Sequence, residues 1–214
     1  MKLIRDKKLF KRKATVKANK KKTITAVYRA KVKCFKPGSG LKKGFKKRHP
    51  NGTTKEGRTL DEEFNRQLKN QEDGINKMSP DDLIDGIDNY KGMRDPKKSK
   101  EIRKLYKDAM FEKRADELLK STRLSLDEIE KLSKEYAENA AKLVAALHNP
   151  DGVAGGKDDF NVDNLDKHIG DRGVNSSLGS QWAKEDRTKE LRAQAVEAKT
   201  NGDKNMNTKL KRCK

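Results

Sequence analysis

The sequence predicts a mainly α-helical body, carrying a basic, partly extended N-terminal arm and a long ordered loop after an H-x-x-D turn. Three observations predict it. Helix-start signals stand in front of apolar residues that recur every three or four positions. Aromatic residues are only 5% of the 214, so the core must be built mostly from Leu, Ile, Val and Ala, which suits helices better than a β-sandwich. The charge is also segregated: of 53 Lys and Arg and 33 Asp and Glu, residues 1–50 hold 20 and one, a net of +19 of the total +20. The other 164 residues, with 33 basic and 32 acidic, are nearly neutral. An arm of this kind neutralises phosphates without reading sequence. A solubilising tail, an anionic-membrane binder and a dock for an acidic partner are the competing explanations.

Residues 1–22 are Lys-rich and read as a lead-in. TITAVYRAKVKCF, residues 23–35, is β-branched and partly alternating, which predicts a short strand or hairpin. Gly, Pro and Lys over residues 36–58 predict a long loop. The first helix is expected from Leu60 to Asp73, with Phe64 and Leu68 on one face. Ser79-Pro80-Asp81-Asp82 starts the next: Ser79 caps, Pro80 fits the first turn, and two acids meet the positive dipole end. Asp95-Pro96 opens another, with Ile102, Leu105, Ala109, Met110 and Leu118 along one side. Ser125 and Glu128 form a capping box for an amphipathic helix through Ile129, Tyr136, Leu143 and Leu147. Pro150 stops that helix at or before Asn149. Residues 149–178 read as an ordered loop, and a last helix is expected from Ser180 to Ala198. The domain reading is therefore an arm over 1–33, a helical body over 34–199 and a polar, frayed tail over 200–214.

No stretch of about 18 apolar residues is present, so no membrane span is expected. The opening MKLIRDKKLFKRK lacks the apolar run of a signal peptide, which points to delivery by a dedicated machine or within a larger chain. Cys34 and Cys213 show no metal-ligand spacing and are expected as two unpaired thiols.

The candidate chemistry lies at the end of the amphipathic helix. That helix delivers His148 to the turn HNPD, and Asp151 follows three positions later. A neutral imidazole can take a proton from water, while a carboxylate orients it and stabilises its cation. The same two residues could hold a divalent metal. H-x-x-D is a common pattern, and a helix-capping role stays open beside catalysis. Glu63, Gln67, Gln71 and Glu72 share a polar face of the first helix, either exposed or lining a site. Asp171 could supply a second carboxylate. Gly155 and Gly156 suit either close approach to a phosphate or a turn. His49 and His168 are placed on solvent, and Trp182 in the core. Asp159, Asn161 and Asp163 have the opening spacing of an EF-hand, but Asn164 and Gly170 stand where the loop needs Gly and Glu, so a solvated loop is expected.

Longer strings sharpen the reading. EFNRQLKNQEDGINKM over 63–78, LHNPDGVAGG over 147–156 and GDRGVNSSLGSQW over 170–182 resemble the type 15 polymorphic toxin domain. This family of bacterial DNase effectors includes type VI secretion effectors. The resemblance runs from about Cys34 to Lys184 and departs from typical members in the acidic insertion KDDFNVDNLDKH. It implies that His148 and Asp151 are catalytic, and that the chain is a toxin injected into a recipient cell to hydrolyse DNA. It also implies a cognate immunity protein, expected to be acidic, with a secretion-machine carrier or chaperone as a further partner. Phosphodiester chemistry suggests a divalent metal of the Mg²⁺ type, held partly by Asp151 and by His148. The alternatives are an RNase toxin in which His148 works without metal, and a non-enzymatic basic nucleic-acid-binding protein.

Overall fold

The computed structural model describes residues 32–90, 96–121, 123–157, 160 and 164–213. The arm before residue 32, most of the strand expected over 23–35, and Asp159, Asn161 and Asp163 lie outside the described residues. The described part is mainly helical: α1 (Ser39–Arg48), α2 (Leu60–Ile75), α3 (Pro80–Asp88), α4 (Pro96–Ser121), α5 (Leu126–Ala141), α6 (Leu165–His168), α7 (Arg172–Trp182) and α8 (Arg187–Thr200). Two short strands, β1 (Val144–Ala146) and β2 (Ile169–Asp171), form an antiparallel pair. None of the described helices is long and apolar enough to cross a membrane.

Local signals set several boundaries. Thr59 and Ser125 each form a full capping box, with Glu62 and Glu128, and Ser79 caps α3 with Pro80 in its first turn. Each satisfies amide donors that a helix start leaves open, for about 1 kcal/mol apiece. The main core gathers Phe35, Phe45, Phe64, Leu83, Leu178 and Trp182 with apolar residues of α8 and of the C-terminal segment. Within it α2 packs on α7, and α3 packs on α8. A smaller core of Ile102, Tyr106, Ala140, Ala146 and Ile169 seats α4 and α5 on the strand pair. The Tyr106 hydroxyl donates to Glu56 at 2.6 Å, tying α4 to the segment after α1.

Several expectations are corrected. Residues 39–48 are not loop but α1, because Phe45 inserts into the core and Lys46, Lys47 and Arg48 suit the negative end of its dipole. The amphipathic helix ends at Ala141, not at His148. Val144–Ala146 pairs with Ile169–Asp171 instead, and the ladder continues through the Leu147 N–H to His168 O at 2.8 Å. An apolar run such as LVAAL fits a buried strand as well as a helix, and the partner strand decides. The expected loop over 149–178 contains α7, started by the Asp171 side chain accepting from the Gly173 and Val174 amides. The last helix is accordingly two, broken where Glu185 and Asp186 take positive φ.

Further corrections concern the ends. Residues 201–213 are not frayed: Met206, Thr208 and Leu210 are buried. The Asn76 side chain bonds the Thr208 backbone in both directions, and Glu72 accepts from the Leu210 N–H at 2.8 Å. The Phe35 backbone pairs with Lys211 and Cys213, and this brings Cys213 to Cys34, where they form a disulfide rather than two free thiols.

Candidate active site

His148 and Asp151 stand at the two ends of one turn. His148 follows β1 directly, is half-buried, and has the Phe160 ring 5.4 Å from its own, centroid to centroid. Asp151 is 6% exposed. Its Oδ1 accepts from the Val153 N–H at 3.1 Å and caps a 3-10 turn over Gly152–Ala154. Its Oδ2 lies against α7 at Gly179, where a Cβ would come within 2.8 Å of it. A side chain at 179 would therefore displace the carboxylate from its place against α7.

Gly155 and Gly156 serve this turn. Gly155 has φ 88°, and a Cβ on Gly156 would fall 1.7 Å from the Pro150 carbonyl oxygen. Their amides donate to Gly152 O and Asp151 O, both at 3.0 Å. Those donors are spent inside the turn, which gives the glycines the turn role rather than a phosphate cradle.

All four polar residues singled out on α2 are buried, and three of them form one stripe. Glu63 is 0% exposed, and its Oε1 accepts from the Asp171 N–H at 2.9 Å and from Gln67 at 2.7 Å; Arg66 closes on both its oxygens. Gln67 also donates to Asp171 O at 3.2 Å. One turn further on, Gln71 accepts from the Asp151 N–H at 3.4 Å and from the Trp182 indole. The i, i+4 stripe of α2 thus runs from the backbone of Asp171 to that of Asp151, joining the two sequence blocks. Glu72, one position round the helix, faces away from this stripe. It binds Lys69, Lys209 and the Leu210 amide, and so secures the C-terminal segment instead.

Asp171 is fully engaged. Arg48 donates to both its oxygens at 2.8 and 3.0 Å, His49 Nε2 lies 2.8 Å from Oδ2, and Oδ1 accepts two amides of α7. Burial works against its charged form, but Arg48, His49 and the Val174 amide outweigh it and hold the carboxyl below the usual range. Asp171 therefore fixes α1 to the start of α7. His49, expected on solvent, is buried because it is part of this cluster. The sequence reading also missed Arg48 and Gly179. The basic run Lys46-Lys47-Arg48 and a Gly inside the GSQW string were the available signals.

A cleft of about 750 Å³ opens beside the turn. Asn149 and Pro150, the residues between His148 and Asp151, form part of its wall, although neither motif residue lines it directly. Asn70, Gly74, Lys77, Lys157, Phe160 and Lys167 also line it, and Gly74 packs directly on the Asn149 backbone. His168, expected on solvent, is half-buried at this cleft, 5.6 Å from the Phe160 ring. Trp182 is buried in the core, as expected. On another face α1 exposes Lys42, Lys43, Lys46 and Lys47.

Among the described residues no three His, Cys, Asp or Glu side chains converge on a point that could hold a metal. The motif offers a metal one carboxylate, Asp151, and one imidazole, His148. A magnesium-type ion, which takes oxygen ligands and keeps several waters, would use Asp151 and leave His148 beside it as a base, whereas a zinc site would need three or four protein ligands.

Compared with known families, the chain matches the model described as novel toxin 15 (Ntox15) over residues 59–213. No curated protein matches it. The matched span holds α2, the H-x-x-D turn and α7, and runs through Cys213.

Proposed function

The chain belongs to the novel toxin 15 family, and on that premise we propose that it is an antibacterial effector that degrades DNA in the target cell by phosphodiester hydrolysis. The observation that carries the reading is the H-x-x-D turn, fixed from behind by Gln71 and Gly179, at the edge of an open cleft lined by Lys77, Lys157 and Lys167. In this reading His148 takes the proton from the attacking water. Asp151, held by its bond to the Val153 amide, presents a fixed carboxylate beside the scissile phosphate. A magnesium-type ion resting on Asp151, with His148 beside it, would polarise the phosphate and offset charge on the leaving oxygen. The lysines of α1 and of the N-terminal arm hold the polyanion without reading its sequence.

A toxin domain of this family acts in the cell it is delivered to, and its producer needs an immunity protein. For this chain the proposed inhibitor is carboxylate-rich, steered over long range to the basic surface and seated over the His148 turn. A secretion-machine carrier or chaperone is the other proposed partner.

Incubating the purified protein with plasmid and with RNA, each with and without EDTA, tests the reading. Plasmid loss that EDTA abolishes is expected. Loss of RNA alone would make the protein a ribonuclease, and loss of neither would leave a binding protein.

A further inference from the structure

We propose that the cleft beside the H-x-x-D turn is a nucleotide subsite, in which the base next to the scissile phosphate stacks on Phe160, so that the protein favours strands with unpaired bases. The proposal rests on the nucleic-acid-cutting reading and adds to it the state of the substrate.

The wall chemistry matches the parts of a nucleotide. At about 750 Å³ the cleft has the size of small-ligand sites. Its lysines come from three separate segments. Lys77 and Lys167 have no carboxylate within ion-pair distance among the described residues, and Lys157 has only a long pair, 3.6 Å, with Asp82. The two acids of the wall are already engaged: Asp73 pairs with Lys69 at 2.7 Å, and Asp82 accepts from Ser79. The balance left for a ligand is cationic, as a phosphate requires.

The base-sized part is Phe160. It is half-buried, lines the cleft, and touches the His148 ring, so it joins the cleft to the motif. The Nδ2 groups of Asn70 and Asn149 both donate to Lys167 O, at 3.4 and 2.7 Å. Their amide oxygens remain as acceptors for an exocyclic amine. A ring, two amide acceptors and unpaired ammonium groups lining one cleft recognise a base and its flanking phosphates. In a duplex the bases are stacked on one another, so a base reaches Phe160 only where the strand is single or has been opened.

Binding is measured without cleavage in full-length protein carrying Asp151→Asn. The probes are single-stranded DNA, duplex DNA of the same length, and single-stranded RNA, each with one 2-aminopurine. The single strand is expected to bind at least about ten-fold more tightly than the duplex, with quenched fluorescence. Phe160→Ala should weaken the single strand by about ten-fold, spare the duplex and abolish quenching; Phe160→Tyr should restore both. RNA bound with the same dependence on Phe160 would support the subsite and show that it does not read the sugar. Equal affinities for single strand and duplex, or no effect of Phe160→Ala, would overturn it, even if the plasmid is still cut. If Phe160→Ala does not fold, Lys77→Gln with Lys167→Gln reads the same wall: loss confined to the single strand supports the proposal, and unchanged binding defeats it.

Discussion

Asp171 and Arg48 meet through two parallel bonds of 2.8 and 3.0 Å, and this pair fastens the lysine-bearing helix α1 to the first turn of α7. Asp171 titrates below its ordinary range in the folded protein. Its contribution to stability is therefore complete above the unfolded value of about 4 and is lost as pH falls through the folded value. Asp171→Asn should cost about 3 kcal/mol at pH 7, as breaking a buried pair does. Urea melts at stepped pH should show the two proteins converging only below pH about 4. Parallel curves would mean that the pair carries no charge-linked stability.

Gly179 offers a test in which activity and stability move in opposite directions. A Cβ there would stand 2.8 Å from Asp151 Oδ2, so Gly179→Ala should push the carboxylate out of place. Within α7 the same change favours the helix by about 1 kcal/mol. DNA cleavage is expected to fall by about ten-fold or more, with an unchanged or higher melting temperature. Full activity in the variant would show that the position of the Asp151 carboxylate does not matter.

What could be read from the residues was local. Ser79 and Ser125 announce their helices because a cap and the residues it serves lie within one turn. The strand at Val144–Ala146 was hidden because its partner, Ile169–Asp171, is remote in sequence, and α7 because Val174, Leu178 and Trp182 are spaced among Gly, Ser and Asn. The motif residues His148 and Asp151 could be named, and the i, i+4 spacing of Glu63, Gln67 and Gln71 was visible. That these three point inward was not visible. Buried polar side chains are exceptions that need partners, and theirs are the backbones of Asp171 and Asp151 and the indole of Trp182.

The pairing of Cys34 with Cys213 closes a loop with a sequence separation of 179, so its effect on the unfolded chain should be near the top of the usual range, about 4 to 5 kcal/mol. Reduction, or Cys213→Ser, should lower the melting temperature by about 10 °C or more for a domain of this size. Calorimetry with and without dithiothreitol measures this, and an unchanged transition would show that the backbone pairing of Phe35 with Lys211 and Cys213 holds the ends without the bond.

The four exposed lysines of α1 should act as phosphate contacts. Replacing Lys42, Lys43, Lys46 and Lys47 by Gln should make the slope of log affinity against log salt shallower by about 3 to 4 for duplex DNA. Removing residues 1–22, which carry much of the remaining positive charge, should flatten it further while leaving the site assembled. A slope that neither change alters would give these charges another partner.

The most direct measurement is plasmid degradation by three purified proteins, the parent, His148→Ala and Asp151→Asn, with helical circular dichroism recorded on each. Asp151→Asn keeps an oxygen for the Val153 amide, so the turn should survive while the charge is lost. The parent is expected to degrade the plasmid and both variants to lose at least about a hundred-fold in rate with unchanged spectra. Either variant, folded and cutting DNA at the parent rate, would contradict the assignment of the H-x-x-D turn as the active site.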